Sequence, residues 1–159
     1  MKKVNNSSKK NTKKKSHPFW RRFWLTFLVV SLAYAWYSFY VPSNNIEWVN
    51  DITSVQQLTN DTGKNTLIFF TGKWCVPCRI MKREVFADNE VERIVNSQFT
   101  PVMIDIDNPS TKELVNYYKI DATPTTIIID SKGKVLDYNV GKIGKKKFLE
   151  MLNNWNTNK

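Results

Sequence analysis

Two cysteines, Cys75 and Cys78, stand two residues apart in the stretch FFTGKWCVPCRIMK, and the chain contains no others. Two thiols at this spacing could bind a metal ion, close a small structural loop or exchange disulfides with another molecule. Each of these chemistries requires different residues or structural elements around the cysteines. The rest of the sequence therefore decides between them.

A tetrahedral zinc site needs four ligands, and the chain supplies two cysteines and one histidine, His17, in a basic N-terminal segment. A zinc site within one chain is excluded on this count, whereas a site shared between two chains stays open. A structural staple is a weak alternative, because closing a loop of two intervening residues removes little entropy from the unfolded chain. We therefore expect no metal in the domain.

The position of the pair favours redox chemistry. The run TLIFFTG predicts a strand buried on both faces, and a helix begins near Cys75. At a helix N-terminus the free backbone N–H groups and the helix dipole favour a thiolate, so Cys75 is predicted to be the attacking sulfur. Cys78, one turn later, would resolve the mixed disulfide. Pro77 suits the first helical turn, where its missing N–H has no partner.

The predicted elements around the pair alternate between strands and helices. The strands are IEWV, TLIFFTG, PVMIDID, TTIIID and VLDYNV. A short helix is predicted after Thr53 or Ser54, and the helix that carries the cysteines is restarted by Asp88 or Asn89 and followed by EVERIVNS. The last two helices are STKELVNYYK and KKKFLEMLNNW. This order predicts an α/β fold with a central mixed sheet, flanked by helices, and one antiparallel hairpin near its end.

The formal charge of +10 is concentrated at the N-terminus. Residues 1–22 carry nine Lys or Arg and no acid, whereas residues 23–159 carry fifteen Lys or Arg and fourteen Asp or Glu. The nineteen residues 23–41 are uncharged, close to the roughly 20 that cross a bilayer as a helix, with aromatic residues at both ends. The basic residues predict a disordered cytoplasmic tail that contacts membrane lipid rather than nucleic acid, and a single-pass anchor that leaves the rest of the chain extracytoplasmic.

A second interpretation of the same segment is a cleavable signal peptide. The small residues of AYA are typical of a cleavage site, and cleavage after Ala35 would release a secreted form. The long basic region and the aromatic residues that continue past Ala35 favour the uncleaved anchor. PSNN at 42–45 is then a linker, and 46–159 is one globular domain.

Three motifs, in this order, resemble the thioredoxin superfamily: WCVPC at 74–78, ATPTTIIID around Pro124, and NVGK before the last helix. With the predicted alternation they cover 46–155, and we identify the domain as thioredoxin-like. The stretch around the cysteines is especially similar to the exported branch, including the periplasmic thioredoxin-like domain of transmembrane disulfide reductases. Thioredoxins of cytochrome c maturation are similar in architecture.

The resemblance implies a role for each matching residue. Cys75 would be the nucleophile and Cys78 the resolving thiol, with no cofactor beyond their own disulfide. The Pro124 peptide bond would be cis, which leaves the preceding backbone free to pair with a substrate strand. The substrate-binding residues implied in this way are Trp74, Pro77, Thr123 and Pro124.

Two departures from the family pattern stand out. The strand before the motif carries Phe69 where thioredoxins hold a buried aspartate, and TPVMIDID lacks the lysine that faces it. The proton of Cys78 would then pass to water or to a more distant acid such as Glu84. The segment MKREVF also lacks the kinking proline of the family, so this helix is expected to run straighter.

The direction of electron flow depends on how strongly the Cys75 thiolate is stabilised. The intervening Val76 and Pro77 include no histidine to do so, which favours a reductase or electron relay over an oxidase or isomerase. The expected partners are thiols and disulfides of exported proteins and a membrane or soluble electron donor. The rival hypothesis is a non-catalytic scaffold or a copper-handling module, because Cu(I) accepts two thiolates, although no Met-rich or His-rich cluster accompanies them.

Overall fold

The computed structural model describes residues 18–50, 52 and 63–156. The chain divides into two compact units, Met1–Tyr40 and Val41–Lys159. Most of the predicted basic tail and the short helix predicted after Thr53 or Ser54 lie outside the described residues.

The described residues of the first unit include one helix, α1, Pro18–Phe39. Pro18 suits the first helical position, because a missing N–H is tolerated there. None of the side chains of α1 is buried, and its large apolar residues are exposed. Among the residues that the structure describes, no helix combines the length and the apolarity needed to cross a membrane. The membrane anchor at 23–41 therefore stays a prediction.

The described part of the second unit contains a four-stranded mixed sheet. Its strands are β1 Asn65–Thr71, β2 Phe99–Asp105, β3 Thr125–Ile129 and β4 Val135–Val140, in the spatial order β2-β1-β3-β4. β1 pairs with β2 in parallel and with β3 in antiparallel fashion, and β3 pairs with β4 in antiparallel fashion. The predicted mixed sheet with a hairpin near its end is confirmed.

β1 lies inside the sheet and is buried along most of its length. Because successive side chains of a strand point to opposite faces, Leu67 and Phe69 pack into one apolar layer, and Ile68 and Phe70 pack into the other. We call these the first and the second layer. A continuous apolar run is what a strand covered on both faces requires. This burial fixes the register of β1 and thus the point at which the chain leaves the sheet after Thr71.

Helical segments cover both faces of the sheet. They are α2 Val76–Met81, a π-helical turn Lys82–Phe86, α3 Asn89–Gln98, a 3₁₀ turn Pro109–Thr111, α4 Lys112–Tyr117 and α5 Lys145–Asn154. The π-helical turn, α3 and α5 contribute Phe86, Val95 and Phe148 to the first layer. α4 contributes Leu114 to the second layer.

The helix that carries the cysteines is interrupted rather than straighter. α2 ends at Met81 and continues as the π-helical turn Lys82–Phe86, although the sequence has no proline there. A π-helical turn shifts the backbone hydrogen bonds by one residue and is a common cause of helix kinks. The missing proline therefore does not produce the regular helix that we expected.

The segment before β1 also differs from the prediction. The compact unit begins at Val41, and the backbone N–H and side-chain amide of Asn45 donate to the two carboxylate oxygens of Glu92 at 2.8 and 3.1 Å. These bonds satisfy a carboxylate on a residue that is only 8% exposed, and they connect Asn45 to α3. The strand predicted at IEWV is reduced to one parallel bridge between Val49 and Val102.

Two neighbouring threonines of β3 differ in how their buried hydroxyls are satisfied. The Thr125 hydroxyl donates to the carbonyl oxygen of Ala122 at 2.8 Å. The Thr126 hydroxyl, opposite Phe69 in the sheet register, is buried and has no hydrogen-bond partner among the described residues. A buried hydroxyl without a partner costs free energy that a paired one does not.

Replacing Thr126 by valine is expected to raise the free energy of unfolding by about 1 kcal/mol, because it removes an unpaired polar atom at nearly constant shape. The matched control, Thr125→Val, should lower it by about 1 kcal/mol, because it leaves the Ala122 carbonyl without its donor. Urea unfolding of the oxidised proteins, followed by circular dichroism, measures both values. Equal destabilisation by the two substitutions would mean that the Thr126 hydroxyl is paired in solution.

Candidate active site

The two cysteines lie in the turn between β1 and α2 and in the first turn of α2. The Cys75 N–H donates to the Gly72 carbonyl oxygen at 3.2 Å, which closes the turn after the strand. Cys75 is the N-cap of α2, and its Sγ accepts a hydrogen bond from the Cys78 N–H at 3.1 Å. The predicted position of Cys75 at a helix N-terminus is confirmed.

Cys75 and Cys78 form a disulfide, with their Cα atoms 5.2 Å apart. The two residues differ in access: Cys75 is partly exposed, whereas Cys78 is 1% exposed and packs in the first layer. Pro77 lies in the first turn of α2, as predicted, and is exposed. A second molecule that approaches this turn therefore meets the sulfur of Cys75 before that of Cys78.

The turn is supported by a carboxylate that sequence reasoning missed. Asp107, in the loop after β2, accepts a hydrogen bond from the Lys73 N–H at 2.8 Å. A Cβ on Gly72 would lie 3.3 Å from the same carboxylate oxygen, so glycine permits this close approach. The Asp107 N–H in turn donates to the Asp105 side chain at 2.9 Å. The loop after β2 is thus bonded to the loop after β1. The position of Asp107 just after a strand parallel to β1 is the sequence signal that could have identified it.

Trp74, immediately before the first cysteine, is 85% exposed. A tryptophan in this position contributes almost nothing to the core. Its large aromatic surface is available for contact with another molecule. Trp74 therefore does not serve to fill the core.

The Thr123–Pro124 peptide bond is cis, as the resemblance implies. Thr125, at the start of β3, pairs with Phe70 near the end of β1, so Pro124 and the cysteine turn lie at the same end of neighbouring strands. The Pro124 carbonyl accepts a hydrogen bond from Gly141 at 2.8 Å, and Gly141 has φ of +89°, which favours glycine. Within the described residues the Thr123 backbone makes no hydrogen bond, so it can pair with an added strand.

The position of the missing aspartate is filled by an aromatic cluster. The Phe69 ring packs edge-on against Phe86 at a centroid distance of 4.7 Å and lies 6.3 Å from Trp48. Glu84, the more distant acid named from the sequence, pairs with Lys142 at 3.3 Å and is half exposed. Glu84 is therefore engaged in a surface ion pair, and it is not a buried proton acceptor.

A charged group that sequence reasoning did not single out lies one helical turn after the buried cysteine. The Lys82 N–H donates to the Cys78 carbonyl, and the Lys82 side chain is partly buried. Burial lowers the pKa of the Lys82 ammonium from its ordinary value, and the carboxylate of Asp105 opposes this effect. The spacing of four residues from Cys78 was a signal that could have identified it.

Within the part of the chain that the structure describes, no group of three or more His, Cys, Asp or Glu side chains is arranged to hold a metal ion. The redox-active group that is present is the Cys75–Cys78 disulfide itself.

Comparison with known protein families matches residues 54–156 to the thioredoxin-like domain. Among curated proteins, the thiol:disulfide interchange protein DsbD of Actinobacillus pleuropneumoniae is 27% identical over 112 residues, which cover 67% of this chain and 19% of the relative. The thioredoxin-like chloroplast protein HCF164 of Oryza sativa subsp. japonica is 26% identical over 88 residues, which cover 55% of this chain and 32% of the relative. The chain thus spans about a fifth of DsbD and a third of HCF164.

Solved structures agree in fold. A thioredoxin from Thermus thermophilus superposes with a TM-score of 0.60 at 22% identity, covering 69% of this chain and 85% of the other. The oxidised C-terminal domain of DsbD from Neisseria meningitidis superposes with a TM-score of 0.54 at 21% identity, covering 64% and 88%. Because the family match extends over most of the globular unit and these solved structures share its fold, the chain belongs to the thioredoxin-like family.

Proposed function

We propose that this protein is an extracytoplasmic thiol–disulfide oxidoreductase that reduces disulfides of exported proteins or relays electrons to them. The observation that carries the proposal is the unequal access of the two cysteines, because Cys75 is partly exposed at the helix N-terminus and Cys78 is buried. In such a pair the accessible cysteine can form a mixed disulfide with a substrate sulfur, and the buried cysteine can then attack that disulfide and release the substrate sulfur. The name of the DsbD relatives, thiol:disulfide interchange protein, describes the same chemistry.

In the proposed reaction the Cys75 thiolate attacks one sulfur of a substrate disulfide, and the second substrate sulfur leaves as a thiolate. Cys78 then attacks Cys75, the mixed disulfide breaks, and the first substrate sulfur leaves. The Cys78 N–H donates to the Cys75 sulfur at 3.1 Å and favours negative charge on this sulfur. The N-terminal end of the helix dipole has the same effect. A membrane or soluble dithiol donor must then reduce the Cys75–Cys78 disulfide again.

The substrate is proposed to lie across the surface formed by Trp74, Pro77, Thr123 and Pro124. Trp74 offers exposed aromatic area beside the reactive sulfur. The Thr123 backbone is free to bond an extended substrate segment as an added strand. These contacts would align a target disulfide with Cys75.

Reduction is proposed as the direction because Val76 and Pro77 carry no charge that would stabilise the Cys75 thiolate further. A less stabilised thiolate makes the dithiol form a stronger reductant. Strong stabilisation would instead favour an oxidase or an isomerase, which remain the alternatives within the same chemistry.

We further propose that residues 23–41 anchor the domain as a single-pass helix, with the basic residues 1–22 on the cytoplasmic side near anionic lipid. The support is the uncharged run, its aromatic ends and the basic residues before it. Helix α1 covers most of the run. Cleavage after Ala35 would give a secreted form with the same chemistry.

In the reduced protein, iodoacetamide is expected to modify Cys75 well before Cys78, because Cys75 is partly exposed at the helix N-terminus and Cys78 is buried. Peptide mass spectrometry after brief exposure at neutral pH measures the two extents of modification. Preferential modification of Cys78 would reverse the assigned roles.

The reduced protein with dithiothreitol is expected to accelerate the reduction of insulin, and Cys75→Ala should bring the rate down to that of dithiothreitol alone. The loss follows because no second sulfur is exposed to begin the exchange. The turbidity of precipitating insulin measures the rate.

Titration of the reduced protein with Cu(I) tests the copper-handling alternative, in which the two thiolates act as ligands. Tight binding of one copper ion together with no insulin turnover would contradict the proposed oxidoreductase.

In cells, the full chain with Cys78→Ala is expected to accumulate mixed disulfides between Cys75 and exported proteins, because the resolving thiol is missing. Non-reducing gels followed by mass spectrometry identify the partners. Fractionation should recover these complexes with the membrane.

A chain that begins at Val41 is the matched control and should appear in the soluble fraction. Cytoplasmic partners, or a full chain that is itself soluble, would contradict the proposed location while leaving the chemistry intact.

A further inference from the structure

Charged side chains are scarce beneath the helix that carries the cysteines. The strands β1, β2 and β3 have the sequences NTLIFFT, FTPVMID and TTIII, and Asp105 is the one titratable residue among them. Any charge that reaches Cys78 from these strands must therefore come from the carboxyl end of β2.

Asp105 lies at the same end and on the same face of the sheet as the cysteine turn. It pairs with Thr71, the last residue of β1. Side chains two residues apart in a strand share a face, so Asp105 is on the face of Met103, which packs against the first layer together with Cys78. The carboxylate is thus directed to the side of the sheet where Cys78 is buried.

Lys82 lies one helical turn after Cys78, on the helical segment that packs against this face of the sheet. It follows Cys78 by four residues and donates its N–H to the Cys78 carbonyl, so the two side chains lie on one face of the helix. Long side chains in a helix lean toward its N-terminus, which directs Lys82 back over the turn that holds Cys78. Burial lowers the pKa of the Lys82 ammonium, and the negative charge of Asp105 opposes this effect.

The other charged groups nearby are placed differently. Arg79, Arg83 and Glu84 lie on the same helical segment, and Glu84 pairs with Lys142 at the surface. Asp107, beyond β2, accepts a hydrogen bond from the backbone of the cysteine turn. For Lys82, the charge of Asp105 on the sheet opposes the effect of burial on its pKa.

We propose that Lys82, four residues after Cys78 on the same helical segment, is a positioning residue for the resolving step, in which its ammonium group stabilises the thiolate of Cys78. The inference rests on the proposed oxidoreductase function. It assigns Lys82 a role beside the resolving cysteine in a chain that carries Phe69 where thioredoxins hold a buried aspartate. In that step the Cys78 thiol gives its proton to water, and the thiolate attacks the Cys75 sulfur of the mixed disulfide. The Cys75–Cys78 bond forms, the bond to the substrate breaks, and the substrate sulfur leaves with its electron pair and is then protonated.

Lys82→Met is expected to raise the pKa of Cys78 by about 1, because it removes a nearby opposite charge. Ultraviolet titration of the thiolate in the Cys75→Ala background, where Cys78 is the remaining thiol, measures this value. Lys82→Arg should keep the pKa close to that of the Cys75→Ala protein, since it preserves the charge. Lys112→Met, on α4, is the control for loss of a lysine charge away from the site.

The same variants with both cysteines present should differ in the reaction of the reduced protein with 5,5′-dithiobis(2-nitrobenzoate). The first release of thionitrobenzoate reports attack by Cys75, and the second reports resolution by Cys78. Lys82→Met should slow the second release about tenfold near neutral pH, since a pKa change of one unit alters the thiolate fraction by that factor. Lys82→Arg should restore the rate.

An unchanged pKa and second release in Lys82→Met would overturn the proposal. So would a Lys82→Arg variant that melts like the wild type yet behaves like Lys82→Met, because the charge would then be irrelevant. The small reagent needs no protein substrate. A missing insulin activity with an intact Lys82 effect would therefore contradict the proposed function and leave this inference standing.

Discussion

Residues Leu67 to Phe70 are wholly buried, with apolar layers on both faces of the sheet, and their burial determines where the chain leaves β1. A slip of one residue would exchange the two layers, so the register is strongly fixed. The cysteine turn begins directly after this strand and is held by Asp107 from the neighbouring loop. The cysteine turn therefore follows a strand that is buried along most of its length between two apolar layers.

The same burial restricts where charge can be placed. A carboxylate at Phe69 would have to be desolvated between aromatic rings, and a buried charge without a partner is costly. In this chain the ionisable groups near the site stand at the strand end and on the helix, where Asp105 and Lys82 retain some contact with water. The burial of β1 thus both forms the apolar core and confines the charged groups near the cysteines to the strand end and the helix.

The sequence was sufficient to predict the strands, the mixed sheet and Cys75 at a helix N-terminus, because apolar runs and turn residues are local signals. The cis bond before Pro124 followed from the resemblance rather than from periodicity. The π-helical turn could not be predicted, since no residue in MKREVF marks it and tertiary packing selects it. The bonds between Asn45 and Glu92, and the bond from the Lys73 N–H to Asp107, depend on contacts between distant segments, which no local pattern encodes.

The bridge between Val49 and Val102 also indicates at which end of the sheet the first residues of the domain lie. The chain around Val49 runs parallel to β2, so Asn45 lies toward the amino ends of the strands, where it also bonds Asn96 late in α3. Cys75 follows the carboxyl end of β1, and the seven residues of this strand, at roughly 3.3 Å each, separate it from the amino end. Asn45 and Cys75 therefore lie at opposite ends of the sheet. A domain held by its first residues would present its disulfide outward, toward partners that approach from the free side.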